Sequence, residues 1–460
     1  MKTNLQNNQK SMLIMFCLSP LISLATLCGC EDHGTSPNNP SPPLNTNAIF
    51  VSPNGDDHNK GTIDSPIASF GHAQDLVSPG DTVYFRGGTY KIKSYADVQE
   101  SLYACIFDLT KSGSENKPIC YFGYPNERPV FDFSDVKPEG YRIAGFYIHA
   151  NYLHLKNFDV IGTQVTITTH TQSEAITIRR GNSNNVIENV AVHDGKSIGF
   201  CVWKGSNNLF LNCDAYNNYD DISEGGQGGN SDGFGCHVRV QDIGNVFQGC
   251  RAWCNSDDGF DCINNYAPVI FDHCWSLYNG YKSFTDISEG DGNGFKGGGY
   301  GLVVQKAEVD VPVNTIQNCI AYHNKSNGFY SNHHLGGDNW YNNTAYYNKF
   351  NYCMVNQKAW DDAVDVDGYN HVLINNLSLS GVKGDYTQID LSKCTIKNNS
   401  FLPDNFDPSV SDFENTTNFR EMIGTRKADG NLPDLNFLTL KKTSTLYSKQ
   451  MGYQFDFNQK

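Results

Sequence analysis

One short phrase returns along this chain with two positions fixed and two variable. It reads Asp232-Gly233-Phe234-Gly235, then Asp258-Gly259-Phe260-Asp261, Asn293-Gly294-Phe295-Lys296 and Asn327-Gly328-Phe329-Tyr330. A Gly-Phe pair that never changes serves a packing need common to every repeat. The flanking positions change between acid, amide, amine and phenol, as outward-facing positions do. Repetition of this kind restricts the chain to stacked, solenoid-like architectures.

A second phrase recurs out of step with the first. It runs Leu155-Lys156-Asn157-Phe158, Ile187-Glu188-Asn189-Val190, Leu211-Asn212-Cys213-Asp214 and Ile316-Gln317-Asn318-Cys319. Related copies surround Cys250, Cys274, Asn343, Ile374 and Ile396. The shortest returns are roughly 22–25 residues, enough for three short strands and their turns, and longer ones imply inserted loops. Alternating apolar residues mark strands with one inward face. The Asn at each turn suits left-handed backbone and can bond its counterpart in the next coil. Leucine-rich repeats would show a Leu-x-x-Leu-x-Leu frame, and helical repeats a 3.6-residue period; neither is seen. The expected fold is all-β, a right-handed parallel β-helix over residues 48–402. A short helix over Ile67–Val77 is expected to cap its first coil, and residues 403–460 to form an irregular tail packed along it.

The formal net charge of −15, without a basic stripe, excludes nucleic acid as a partner. An acidic polymer would have to be met by cations or a local basic patch. At the N-terminus, Lys2 and Lys10 precede an apolar run from Met12 to Leu27 that is broken by Pro20, a leader rather than a membrane span. Leu27-Cys28-Gly29-Cys30 resembles a bacterial lipobox with Cys30 acylated, ordinary signal-peptidase cleavage being the alternative. Residues 1–30 are thus read as a lipoprotein signal and 31–47 as a flexible tether. The protein is expected to be exported, held at an outer surface through Cys30 alone, and monomeric.

Of the 15 cysteines, twelve lie beyond the leader, and six of these fall at repeat positions: Cys213, Cys250, Cys274 and Cys319 in one column, Cys236 and Cys262 in another. They read as an interior ladder of free thiols rather than a disulfide framework or a zinc site. Cys105 with Cys120 is the one pair that reads as a candidate bridge.

Coiling the chain brings chemistry together. Neighbouring strands lie about 4.8 Å apart, so Asp232 and Asp258 would repel each other, with Asp257 and Asp261 adding to the cluster. A hard divalent cation relieves that repulsion, and ligation by carboxylate oxygens alone favours calcium over zinc. A solvated acidic turn, or a calcium that only braces the coil, is the plainer reading. Lys296, one coil beyond Asp261, is either a surface lysine paired with that carboxylate or a base. A nearby cation would lower the amine's pKa, letting it take a proton from a weakly acidic carbon. Arg179, Arg180, Lys204, Arg239 and Lys306 are weaker candidates for contact with substrate carboxylates. Tyr330, His333 and His334 continue the column, Tyr330 as a sugar-stacking candidate and the histidines as hydrogen-bonded turn residues. Trp275 and Trp340 read as packed on the coil.

Gly-Asn-Ser-Asp232-Gly-Phe, Asn-Ser-Asp257-Asp258-Gly-Phe-Asp261 and Gly-Asn-Gly-Phe-Lys296-Gly-Gly resemble the core motifs of family 9 polysaccharide lyases, and the likeness runs from about Ala48 onward. The resemblance implies a right-handed parallel β-helix, calcium ligands at Asp232, Asp257, Asp258 and Asp261, and Lys296 as the Brønsted base of a β-elimination. It implies an acidic plant polysaccharide, pectin, as substrate. Pectate is the first choice of backbone and rhamnogalacturonan I the second, specificity being expected in the loops Asn218–Asn230 and Tyr281–Gly292. Two other classes remain open: a β-helix glycoside hydrolase needing neither calcium nor lysine, and a non-catalytic surface glycan binder.

Overall fold

The computed structural model describes residues 48–299 and 311–453. Residues 1–47, with the leader, Cys30 and the tether, and also Lys306, lie outside the described residues. Short strands wind into three stacked sheets of twelve, ten and eleven strands, each strand pairing with those one coil before and after. Pairing is parallel throughout these sheets except at Asp97–Gln99, which runs antiparallel to Tyr103–Leu109. This is the parallel β-helix expected from the repeats.

Each feature of the repeat has a physical cause. The second phrase supplies the corner between the twelve- and ten-stranded sheets. Asn157, Asn189, Asn212, Asn318, Asn342, Asn375 and Asn398 stand there with φ of 49° to 62°. That backbone region is costly for most side chains and cheaper for Asn. At the next corner a buried asparagine ladder runs up the coil. Asn255, Asn279 and Asn324 each donate a backbone N–H to the side-chain oxygen of Asn279, Asn324 and Asn348, at 3.1, 3.2 and 2.9 Å. Turn amides that would otherwise be orphaned inside the molecule are satisfied in this way.

The interior is a ladder of apolar residues. Phe200, Phe234, Phe260, Phe295 and Phe329 stack face to face, with centroids 4.6–5.2 Å apart. Cys213, Cys250, Cys274 and Cys319 are free, buried thiols within the core, as are Cys236 and Cys262. Cys105 is also a free thiol, so the bridge to Cys120 does not form. The two lie on outward faces of different sheets, Cys105 among Tyr103, Ala144 and Tyr147, Cys120 beside Phe122 and Tyr84.

The helix expected near the first coil spans Phe70–Leu76, with Ser69 accepting the His72 N–H at 3.2 Å as N-cap. Phe70 plugs the coil end, its ring 4.4 Å from Phe107 and 5.2 Å from Tyr121. At the other end of the chain the tail folds back over the ten-stranded sheet. Met422, Phe437, Leu446 and Met451 cover Trp253, Trp275, Leu277 and Tyr322. Trp275 is therefore buried under the tail, whereas Trp340 is buried inside the coil. The outer face of the eleven-stranded sheet carries the repeated Asp and Lys positions.

Candidate active site

The x-Gly-Phe-x phrase falls on this eleven-stranded sheet. Phe234, Phe260, Phe295 and Phe329 pair in register, and with them Gly235, Asp261, Lys296 and Tyr330. Phe points inward to the stack, so the residue after it points out. Gly is required by crowding: a Cβ on Gly259 would lie 2.3 Å from Ser276 Oγ and 2.7 Å from the Gly294 carbonyl. The residue before Gly forms its own ladder. Asp232 Oδ1 accepts the Asp258 N–H at 3.1 Å, and Asp258 Oδ1 accepts the backbone and side-chain N–H groups of Asn293 at 2.6 and 2.9 Å. These bonds fix the carboxylates relative to one another.

Three of the four expected aspartates converge. Carboxylate oxygens of Asp232, Asp258 and Asp261 lie within 4.8 Å of one another, all buried. Asp257 stands beside this group rather than in it. Its Oδ1 accepts the Asp291 N–H at 3.2 Å, because the residue before Asp258 faces the loop rather than the column. Lys296 Nζ closes the cluster, 3.1 Å from Asp258 Oδ2 and 3.2 Å from Asp261 Oδ2, with its side chain 13% exposed.

The electrostatics follow from one amine facing this many carboxylates. Burial and the neighbouring charges of Asp257, Asp261 and Asp258 push the Asp232 carboxyl well above its ordinary range. Burial and the charge of Asp258 do the same to Asp257. Burial opposes the Lys296 charge, but Asp261 and Asp258 outweigh it and hold the amine protonated well above the usual lysine range. Asp258 Oδ2 is buried, with the Lys296 amine as its partner at 3.1 Å. Buried carboxylate oxygens that outnumber the one amine facing them fit a hard, oxygen-seeking cation.

The loops chosen from sequence meet beside this cluster. Ser256 Oγ donates to the Gly228 carbonyl at 2.7 Å, and the Gly290 N–H donates to the Ser256 carbonyl at 2.6 Å. They form a wall on the Asp257 side. Tyr330 continues the column one coil past Lys296, half-buried. His334 is fully buried and pairs with the Pro312 carbonyl at 2.7 Å, as a hydrogen-bonded turn residue. His333 pairs with Asp365 at 3.0 Å.

Arg179 cannot reach a ligand. It is buried between the rings of Tyr103 and Trp203, 4.1 and 4.8 Å from their centroids, and bound to Glu174 at 2.6 Å. Trp203 in turn packs on His237 at 4.6 Å. Of these, Glu174, Trp203 and His237 were not singled out from sequence, nor was Asn293 as a partner of Asp258. Asn293 could have been found from its place in the phrase. A buried Glu174 carried no sequence signal.

Comparison with known proteins agrees with this geometry. The family described as Pel9A-like, right-handed β-helix region matches residues 49–376. Pectate lyase L of Dickeya dadantii (strain 3937) is 32% identical over 402 residues, 86% of this chain and 84% of that protein. A solved structure of a rhamnogalacturonan lyase is 45% identical, with a TM-score of 0.84, covering 88% of this chain and 99% of its own. The crystal structure of pectate lyase Pel9A is 30% identical, with a TM-score of 0.68, covering 86% and 90%.

Proposed function

Because this chain belongs to the Pel9A-like β-helix family of polysaccharide lyases, which degrade pectin, we propose that it cleaves the rhamnogalacturonan I backbone by β-elimination at galacturonate. The observation that carries the elimination is Lys296 Nζ set 3.1 and 3.2 Å from two carboxylates on an open sheet face. The choice of backbone is supported by 45% identity to a rhamnogalacturonan lyase along nearly the whole of that protein. Pectate, the first choice from sequence, is the second reading, supported by 30–32% identity to pectate lyases.

Asp232, Asp258 and Asp261 would hold calcium, with Asp257 beside them. Bound there, calcium would acidify the C5 hydrogen of the galacturonate whose carboxylate it engages, and neutralise the charge that otherwise keeps Lys296 protonated. Lys296, freed of that charge, takes the C5 proton. The C5–H electrons become the C4=C5 double bond as the C4–O bond breaks, and the leaving oxygen is protonated by solvent. Asp261 keeps the amine in place, its Oδ1 tied to the Ile263 N–H at 2.6 Å.

The test follows formation of the unsaturated product on rhamnogalacturonan I and on polygalacturonate, with calcium or with chelator. Elimination on rhamnogalacturonan I that chelator abolishes, and that Lys296→Ala reduces about a thousandfold or more, is expected. Saturated products, or full turnover in chelator, would overturn it. Anchoring through Cys30 is part of the same reading and is checked by loss of lipid labelling in Cys30→Ser.

A further inference from the structure

The eleven-stranded sheet ends, on the coils before Lys296, at an open groove of about 620 Å³ lined by Arg180, Lys204, Arg239, Asp242 and Tyr266. Its cations are ordered by the coil. Ile178 pairs with Val202, and Val202 with Cys236, so the turns that follow place one cation on each of three successive coils. Axial spacing between successive coils is about 4.8 Å. The next coil carries Asp261, and the one after it Lys296.

The groove is built rather than incidental. Beneath it run Arg179, Trp203 and His237, stacked one per coil and locked by Glu174. Arg180 is held out over this stack by Gln99 at 2.6 Å and the Tyr147 hydroxyl at 3.3 Å. Arg239 lies over Tyr266, 5.8 Å from the ring centroid. The single carboxylate of the lining, Asp242, is occupied by the Arg239 backbone N–H at 3.0 Å. Arg180 also faces Glu100 at 3.8 Å, whereas Lys204 and Arg239 make no ion pair among the described residues, in a chain whose net charge is −15. An anionic ligand is what such a groove fits.

We propose that this groove binds the uncleaved stretch of a galacturonate-containing polymer and extends the scission site over the preceding coils, with Arg180, Lys204 and Arg239 receiving its carboxylates. The inference rests on the galacturonate-containing substrate proposed above and adds where the uncleaved chain lies. It also answers how an acidic protein holds an acidic polymer away from any metal.

The experiment compares Arg180→Ala/Lys204→Ala/Arg239→Ala with the parent, and repeats the comparison in a Lys296→Ala background. These side chains are exposed, and an unchanged melting temperature confirms that the coil is intact. On rhamnogalacturonan I or polygalacturonate, the triple substitution should raise KM on the order of tenfold, with kcat changed less than twofold. Polymer affinity of the Lys296→Ala protein should fall by a similar factor and lose most of its salt dependence. Unchanged KM and unchanged polymer affinity would overturn the groove assignment, whatever Lys296→Ala does to turnover. A fall in kcat with no change in affinity would overturn it equally. Persistence of elimination in Lys296→Ala, by contrast, would count against the catalytic reading alone, since affinity reports on the groove separately.

Discussion

At Lys296 a buried amine is shared by Asp258 and Asp261, and the surrounding carboxylates outnumber it. The arrangement is costly to the fold and useful to chemistry, since repelling carboxylates are stabilised by whichever cation the site takes up. Asp258→Asn separates the two effects. Asparagine keeps the Oδ1 acceptor used by Asn293 but removes one charge. Activity at fixed calcium should fall on the order of a hundredfold and recover partly as calcium is raised. The melting temperature in chelator should rise, because repulsion on Asp232 and Asp257 is relieved. A calcium titration of rate, with thermal unfolding in chelator, reads both signs. The four aspartates and Lys296 were visible in sequence because they stand in or beside repeat columns. That Asp257 also accepts the Asp291 N–H was not visible, because periodicity orders residues along the axis but does not orient a turn.

Among the elements, the asparagine ladder decides how firmly the site strands are held. Asn279 is fully buried; its side chain accepts from the Asn255 backbone and donates to Asn324 at 3.0 Å and to the Ala252 carbonyl at 3.2 Å. Asn279→Ala leaves the Asn255 N–H without its partner in the turn that leads into Asp257 and Asp258. A loss of about 2–4 kcal/mol is expected, measured by urea unfolding, with activity lost in parallel as the coil loosens. The ladder was foreseeable because Asn recurs at one place in each repeat. Arg179's burial was not legible for the opposite reason: Glu174 lies on the strand that runs into it, but Tyr103 and Trp203, the rings that enclose it, come from two other coils that no local pattern announces.

For the whole molecule, the returning tail covers the ten-stranded sheet and not the face that carries Lys296. Its clamp is Asp214, gripped by Arg251 at 2.7 Å and by Arg426 of the tail at 2.6 Å. Burial would push this carboxyl up, but Arg251 and Arg426 outweigh it and hold it well below the usual range. A depressed folded-state pKa means that the stabilisation is complete above the unfolded value of about 3.9 and is lost as pH falls through the folded one. Arg426→Ala should therefore cost about 3 kcal/mol near neutral pH, and the gap from the parent protein should close below about pH 4. Unfolding measured across that range, together with faster proteolysis of the tail, checks it.

The amino-acid order by itself determined the coil, its register, the inward Phe and Cys columns and the presence of aspartates and one lysine on a common face. These follow from repetition, because a residue that returns once per coil must stack on its predecessor. Only the tertiary structure decided that Asp257 also binds the loop at Asp291, which arginine is trapped between rings, and that Arg180, Lys204 and Arg239 share one groove. Those outcomes depend on contacts between coils and loops of unequal length, where spacing along the chain carries no direction.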